Sequence, residues 1–401
     1  MRWGTINELW YKQTASPIMS ESHAELLSRL IAFDTTSHLS NLPIIEFIEG
    51  YLAGHGIESE LVKSPDGKKA NLFATIGPRD VSGIALSGHT DVVPVEGQNW
   101  TTDPFQLAQK NGRLYGRGTC DMKGFVACAL AAVPNFAGRD LSIPIHLAFS
   151  YDEEVGCLGA RQLVGELGTR LERPRVVIVG EPTGMTVVDA HKGIHLFATE
   201  IIGREAHNSM PQLGVNAIEI AAKLIGELDR IGAELAERQD GERFDPPHTT
   251  VTVAKVVGGT ALNIIPNRCE IFWQFRNVPA TNPEEVPNRL MEYAERELLP
   301  LMRKTEPDAS IETRKLNSVP EFQAPANSEA VSLALKLAQQ NEIHAVPYGT
   351  EAGLFEQTSA AVVCGPGGVN EAHRPDEFIE EAQMAECSQF LERLADHATT
   401  G

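Results

Sequence analysis

The chain has 401 residues, 42% hydrophobic and 22% charged, a globular composition long enough to build two cores. Its formal net charge of -20 opposes approach to nucleic acid or an anionic membrane surface, and its 6% aromatic residues are not interleaved with basic ones as base stacking requires. The six cysteines, Cys120, Cys128, Cys157, Cys269, Cys364 and Cys387, form no C-x-x-C pair, and a reduced, cytoplasmic chain is the simplest reading.

Residues 1–18 lack the continuous apolar run of a signal peptide or membrane span, and a second methionine, Met19, precedes Ser20-Glu21-Ser22 and an apolar helical pattern. They are expected to be a disordered extension. Helices are predicted over 21–33, 42–54, 122–134, 158–167, 327–340 and 380–396. Short apolar runs at Ile84–Leu86, Ile145–Phe149, Val176–Val179 and Ala361–Cys364 read as buried strands between them. The middle of the chain changes rhythm: strand 194–203, helix 215–236, strands 249–257 and 268–276, helix 283–304, strand 309–317. That βαββαβ order is the ferredoxin-like unit. The predicted fold is α/β, a main domain (19–187 and 318–401) with a mixed central sheet and a ferredoxin-like domain (188–317) inserted into it.

In an open α/β sheet, ligands gather beyond the carboxyl ends of the strands. Three predicted strands end there on metal-ligand types: His89 with Asp91, the pair Glu153-Glu154, and Glu181. Asp121 opens the 122–134 helix, and His373 follows the last strand. A single acid so placed is more often a helix cap or a solvated loop residue. Several packed into one crevice are costly unless cations neutralise them. Imidazole and carboxylate without thiolate suit catalytic zinc and also accommodate cobalt or manganese. His89, Asp121, Glu154, Glu181 and His373 exceed the three protein ligands of one catalytic zinc, so two ions sharing a carboxylate are expected. Asp91 is placed to accept the free ring N–H of His89, and Glu153 is the spare carboxylate that a general base requires.

Other chemistries lack a motif. Gly116-x-Gly118 has no third glycine for a dinucleotide loop, and neither a G-x-S-x-G elbow nor a Walker A run occurs. Cys120 and Cys157 near the crevice read as packing residues.

Five strings, Ser87-Gly88-His89-Thr90-Asp91-Val92-Val93-Pro94, Gly116-Arg117-Gly118-Thr119-Cys120-Asp121-Met122-Lys123-Gly124, Asp152-Glu153-Glu154-Val155-Gly156, Gly180-Glu181-Pro182-Thr183 and Ala372-His373-Arg374-Pro375-Asp376-Glu377, then fall into place. In motif order, and from about residue 20 to 398, they resemble the metallo-aminoacylase and carboxypeptidase family, which includes deacetylases, desuccinylases and carboxypeptidases of amino-acid derivatives. The resemblance implies one zinc on His89, Asp121 and Glu181 and a second on Asp121, Glu154 and His373. It also implies Glu153 as general base, Asp91 as the aspartate behind His89, and amide hydrolysis of a small N-acyl amino acid. Ala206-His207-Asn208-Ser209 is similar to the motif whose histidine reaches into a partner subunit to stabilise the oxyanion, which implies a homodimer formed through the inserted domain. Asn208 stands where the family more often has Ser. Asn263 and Arg276 resemble residues that hold the substrate carboxylate, and Gly349-Thr350-Glu351 a further substrate loop. The motifs at 118–124, 151–157 and 348–353 look most like the acetylornithine deacetylase branch, with Glu351 expected to meet the distal ammonium. Desuccinylation or broader N-acyl amino-acid deacylation is the alternative within hydrolases; a non-catalytic metal-dependent binding protein is the alternative outside them.

Overall fold

The computed structural model of the protein describes residues 21–400, so the extension expected over 1–18 lies outside the described residues. Ser22-His23-Ala24-Glu25 starts the first helix, His23–Ile31, as a capping box: Ser22 Oγ accepts the Glu25 N–H, and Glu25 Oε2 accepts the Ser22 N–H.

The large sheet runs Ser59–Lys63, Ala70–Ile76, Ile145–Ser150, Ile84–His89, Val176–Val179, Ala360–Val363, Val187–His191 and Phe322–Gln323, with Ile343–Val346 also pairing to Val187–His191. Four central neighbours, Ile145–Ser150, Ile84–His89, Val176–Val179 and Ala360–Val363, are parallel, whereas the flanking pairings include antiparallel ones. The sheet is therefore mixed. Because helices cover both of its faces, these four strands are apolar and almost wholly buried, with one core beneath Lys123–Ala137 and Glu381–Thr400 and a second around Leu163, Phe322 and Phe355. Parallel direction brings their carboxyl ends to one edge, and that edge holds the site.

The second sheet has four antiparallel strands in the order Thr250–Gly258, Arg268–Arg276, Ile194–Ile202, Ser310–Val319. Helix Ala217–Arg238 and the segment Glu285–Met302 cover one face, burying Phe197, Ile271, Trp273 and Phe275. Alternation along Arg268–Arg276 sends Cys269, Ile271, Trp273 and Phe275 under the helices and Gln274 and Arg276 to the opposite face.

Several boundaries differ from expectation for identifiable reasons. Asn216 caps the long helix by accepting the N–H groups of Ile218 and Glu219, so it starts at Ala217 rather than 215. The single helix predicted over 283–304 is interrupted by a π turn at Ala294–Leu298 just before Pro300, which has no N–H to continue the ladder. Val187–His191 pairs within the large sheet, so the chain crosses between the sheets at Lys192-Gly193 rather than at 187/188, and it returns after Val319. Among the described residues, no helix is long and apolar enough to cross a membrane.

Candidate metal centre and substrate cleft

His89 is the last residue of its strand and is fully buried. Its Nε2 lies 2.9 Å from Asp121 Oδ1 and 3.8 Å from Glu181 Oε1. On the other side of the ring, Nδ1 meets the backbone carbonyl of Asp91 at 2.9 Å, while the Asp91 carboxylate is 3.6 Å away. This corrects the expected contact: the ring bonds chiefly to the main chain of Asp91. The carboxylate of Asp91 instead accepts the backbone N–H groups of Glu153 and Glu154, at 3.0 and 3.3 Å, and the hydroxyl of Ser37 at 2.8 Å. Asp91 thereby fixes the His89 strand end and the Glu153-Glu154 turn relative to each other.

Asp121 does not cap its helix. The cap position is Met122, without a side-chain bond, and the Asp121 carboxylate points to His89 and to His373 Nε2, the latter at 3.3 Å. His373 Nε2 also lies 3.0 Å from Glu154 Oε2. Gly180 lets these pieces approach: a Cβ there would fall 2.1 Å from the Phe125 ring, so only glycine admits the Asp121 helix against the strand that leads to Glu181.

The donor atoms of His89, Glu153 and Glu181 lie within 4.8 Å of one another, as do those of His89, Asp121 and Glu154. The electrostatics follow from crowding. Burial, reinforced by neighbouring carboxylates, pushes Glu153 and Glu181 well above the usual carboxylate range and Glu154 to about 7. Burial also disfavours ionised Asp121, but its bonds to His373 and His89 outweigh that and hold it well below normal. Bonds to Asp121 and Glu154 raise His373 to about 10. Two imidazoles thus face Asp91, Asp121, Glu153, Glu154 and Glu181, and Glu181 Oε1 is buried with no hydrogen-bond partner among the described residues. An orphaned carboxylate oxygen and uncompensated negative charge are what bound divalent cations satisfy, so the donor set fits a metal pair.

The centre opens into a cleft of about 660 Å³ between the two sheets. Ile194, Leu196, Gln274, Arg276 and Leu316 from the small sheet face Asp121, Glu153, Glu154, Glu181 and His373 across it. Among the described residues, Arg276, partly withdrawn from water, is the one basic side chain other than His373 on the lining. Tyr348, whose hydroxyl donates to the Pro182 carbonyl at 3.2 Å, completes the wall.

Other expected residues lie elsewhere. Glu351 is 1% exposed and sits behind the centre, where its carboxylate accepts the hydroxyls of Ser87 and Ser150. Thr350 is fully buried, and its hydroxyl accepts the Ala352 N–H at the start of a short helix. Neither is among the residues that line the cleft. His207 and Asn263 are exposed on facing loops of the small sheet, joined by the Asn208 N–H to the Asn263 carbonyl at 3.1 Å, and they also do not line the cleft. The Asn208 side chain donates to the Leu262 carbonyl at 3.4 Å and does not reach His207, whose ring is held by Ser209 Oγ at 2.7 Å from Nδ1. Ser37 carried no sequence signal beyond being a polar loop residue, and Ser209 only its place in the string after His207. Cys120 and Cys157 are buried, and burial raises both thiols, as inert packing residues require.

Acidic side chains and imidazoles gathered at the carboxyl ends of parallel strands, beside a cleft that carries an arginine on its far wall, are the equipment of a metal-dependent hydrolase, and that is the class of this protein. The chain belongs to peptidase family M20/M25/M40, whose model matches residues 85–397. The acetylornithine deacetylase of Myxococcus xanthus is 36% identical over 381 residues, covering 94% of this chain and 97% of that protein. An M20 family metallo-carboxypeptidase from Sulfolobus solfataricus shares the fold with a TM-score of 0.74 at 19% identity, over 95% of this chain and 100% of that one. A dinuclear metal binding peptidase of the same family from Bacillus subtilis does so with a TM-score of 0.64 at 20% identity, over 94% and 98%.

Proposed function

We propose that this hydrolase removes the acetyl group from N2-acetyl-L-ornithine, releasing ornithine and acetate, as a cytoplasmic step of arginine synthesis. The observation that carries the chemistry is Glu153: a carboxylate beside the candidate ligands that forms no ion pair with a cationic side chain among the described residues, its main chain fixed by Asp91, facing the cleft. Support for the substrate comes from relatives named for that activity at up to 36% identity over nearly the whole chain. Six buried free cysteines fit a reducing compartment.

In this reading His89, Asp121 and Glu181 hold one zinc ion and Asp121, Glu154 and His373 the other, cobalt and manganese being compatible substitutes for the same donors. Bound there, a metal pair would supply the Lewis acidity that acidifies water and polarises an acyl carbonyl. Glu153 takes the proton of the attacking water and returns it to the departing α-nitrogen. Arg276 pairs with the substrate α-carboxylate, which orients the amide toward Glu153.

His207 and Asn263 serve a second copy of the chain. Thr250–Gly258 is an edge strand carrying half-exposed Val256 and Val257, and Leu262 beside it is 100% exposed. An apolar edge of this kind is covered by pairing with its own equivalent across a two-fold axis. Each copy then extends its His207 loop toward the other's cleft, where the imidazole donates to the oxyanion. Comparing kcat/KM for N-acetyl, N-succinyl and N-formyl derivatives of ornithine, diaminopimelate and methionine tests the assignment. Preference for acetylornithine is expected; preference for a succinyl substrate overturns it.

A further inference from the structure

Two motifs that supply Asp121 and His373 also contain a buried ion pair that the chemistry above leaves unused. Arg117 and Glu377 are each 1% exposed, and Arg117 Nη1 donates to Glu377 Oε2 at 2.6 Å. The other Glu377 oxygen accepts the backbone N–H groups of Cys120 and Asp121 at 2.9 and 3.1 Å. Arg117 Nη2 donates to Gln98 Oε1 at 2.6 Å, and Gln98 Nε2 in turn donates to the carbonyl oxygen of His373 at 3.0 Å. Trp100 supports this corner twice: its Nε1 donates to Gln98 Oε1 at 3.0 Å, and its ring lies 5.1 Å from the guanidinium carbon. A continuous chain of bonds therefore joins the main chain of Asp121 to that of His373, 252 residues apart, through Glu377, Arg117 and Gln98.

A buried ion pair is a poor source of net stability, because desolvation offsets much of its attraction. What this one provides is geometry. His373 and Asp376 both hold positive φ, 61° and 55°, a conformation uncommon among residues other than glycine, into which Asp and His pass more readily than most. Asp376 is fixed by the N–H and hydroxyl of Thr101 at 2.8 and 3.0 Å, and His373 by Gln98. The planar guanidinium, with donors diverging toward Glu377 and Gln98, sets the spacing between the two segments.

We infer that Glu377, Arg117 and Gln98 form a positioning relay for one metal position, the one assigned to Asp121, Glu154 and His373, by holding its two backbone segments in register. This rests on the ligand assignment proposed above. Groups that orient metal ligands typically change affinity by about 10- to 100-fold when removed.

The test titrates metal-free protein with Zn²⁺ against a competing chelator and records its metal-free thermal midpoint as a check on folding. Gln98→Ala and Gln98→Glu both remove the donor to the His373 carbonyl, and Gln98→Glu keeps an acceptor for Arg117. Both variants are expected to bind one ion as the parent does and the other about 10- to 100-fold more weakly; the metal-free midpoint should stay near the parent's in Gln98→Glu and fall in Gln98→Ala, which leaves Arg117 Nη2 and Trp100 Nε1 without their acceptor. His373→Ala is the control and is expected to lose the same ion. Parental affinity at both positions in either Gln98 variant, while His373→Ala loses one ion, overturns the relay. Parental affinity at both positions in His373→Ala overturns the ligand assignment itself, and the relay with it.

Discussion

Replacing Glu153 by Gln separates the roles that its position allows. The side chain keeps its size, and the backbone N–H that bonds Asp91 is untouched, so the turn should persist. General-base catalysis contributes about 10²- to 10⁴-fold, or roughly 2.7–5.5 kcal/mol of barrier. If Glu153 is the base, kcat falls by that factor, KM changes little, and both metals remain. If it is instead a ligand beside His89 and Glu181, which its donor distances permit, one ion is lost. A second consequence has the opposite sign. Burial and nearby carboxylates raise the proton affinity of Glu153 in the folded metal-free chain above the unfolded value of 4.5. Its contribution to stability is therefore complete below pH 4.5 and declines as pH rises through the raised value. The metal-free variant, which has no charge to bury, should melt at a higher temperature than the parent at pH 8 and at nearly the same temperature at pH 4. Steady-state kinetics, metal analysis and thermal melts read these outcomes. Turnover within tenfold of the parent at full metal occupancy refutes the base assignment.

Metal loading should release protons, because Glu154 near 7 and His373 near 10 hold theirs in the metal-free chain. Calorimetric titrations in buffers of different ionisation enthalpy should show this, with tighter binding at pH 8 than at pH 6; pH-independent affinity contradicts it. Arg276→Ala should raise KM for acetylornithine by about 10- to 100-fold, the worth of one charge-assisted bond, with far less effect on an analogue lacking the α-carboxylate. Glu351→Gln should leave the preference for acetylornithine over acetylmethionine unchanged, since its carboxylate is engaged by Ser87 and Ser150 behind the centre. Mixing inactive His207→Ala and Glu153→Gln chains should restore about a quarter of parental activity, because half of random dimers are mixed and each carries one intact site. No recovery after subunit exchange would place His207 outside the partner's site.

The periodicity of short apolar strands and amphipathic helices made the α/β class and the ferredoxin-like strand order legible in the sequence, because burial on one or both faces leaves a pattern in consecutive residues. The strand-end rule likewise singled out His89, Glu153, Glu154 and Glu181, since a residue at the end of a buried strand, or only a few positions past it, has little freedom to be elsewhere. Contacts between residues far apart in the chain left no such pattern. That Asp91 binds the Glu153-Glu154 turn, that Glu351 serves Ser87 and Ser150 rather than the cleft, and that Glu377 joins Asp121 to His373 through Arg117 all depend on how loops from different strands meet. A carboxylate has the same sequence signature whether it binds metal, braces a backbone or meets solvent. Its neighbours decide which, and only the packed chain brings them together.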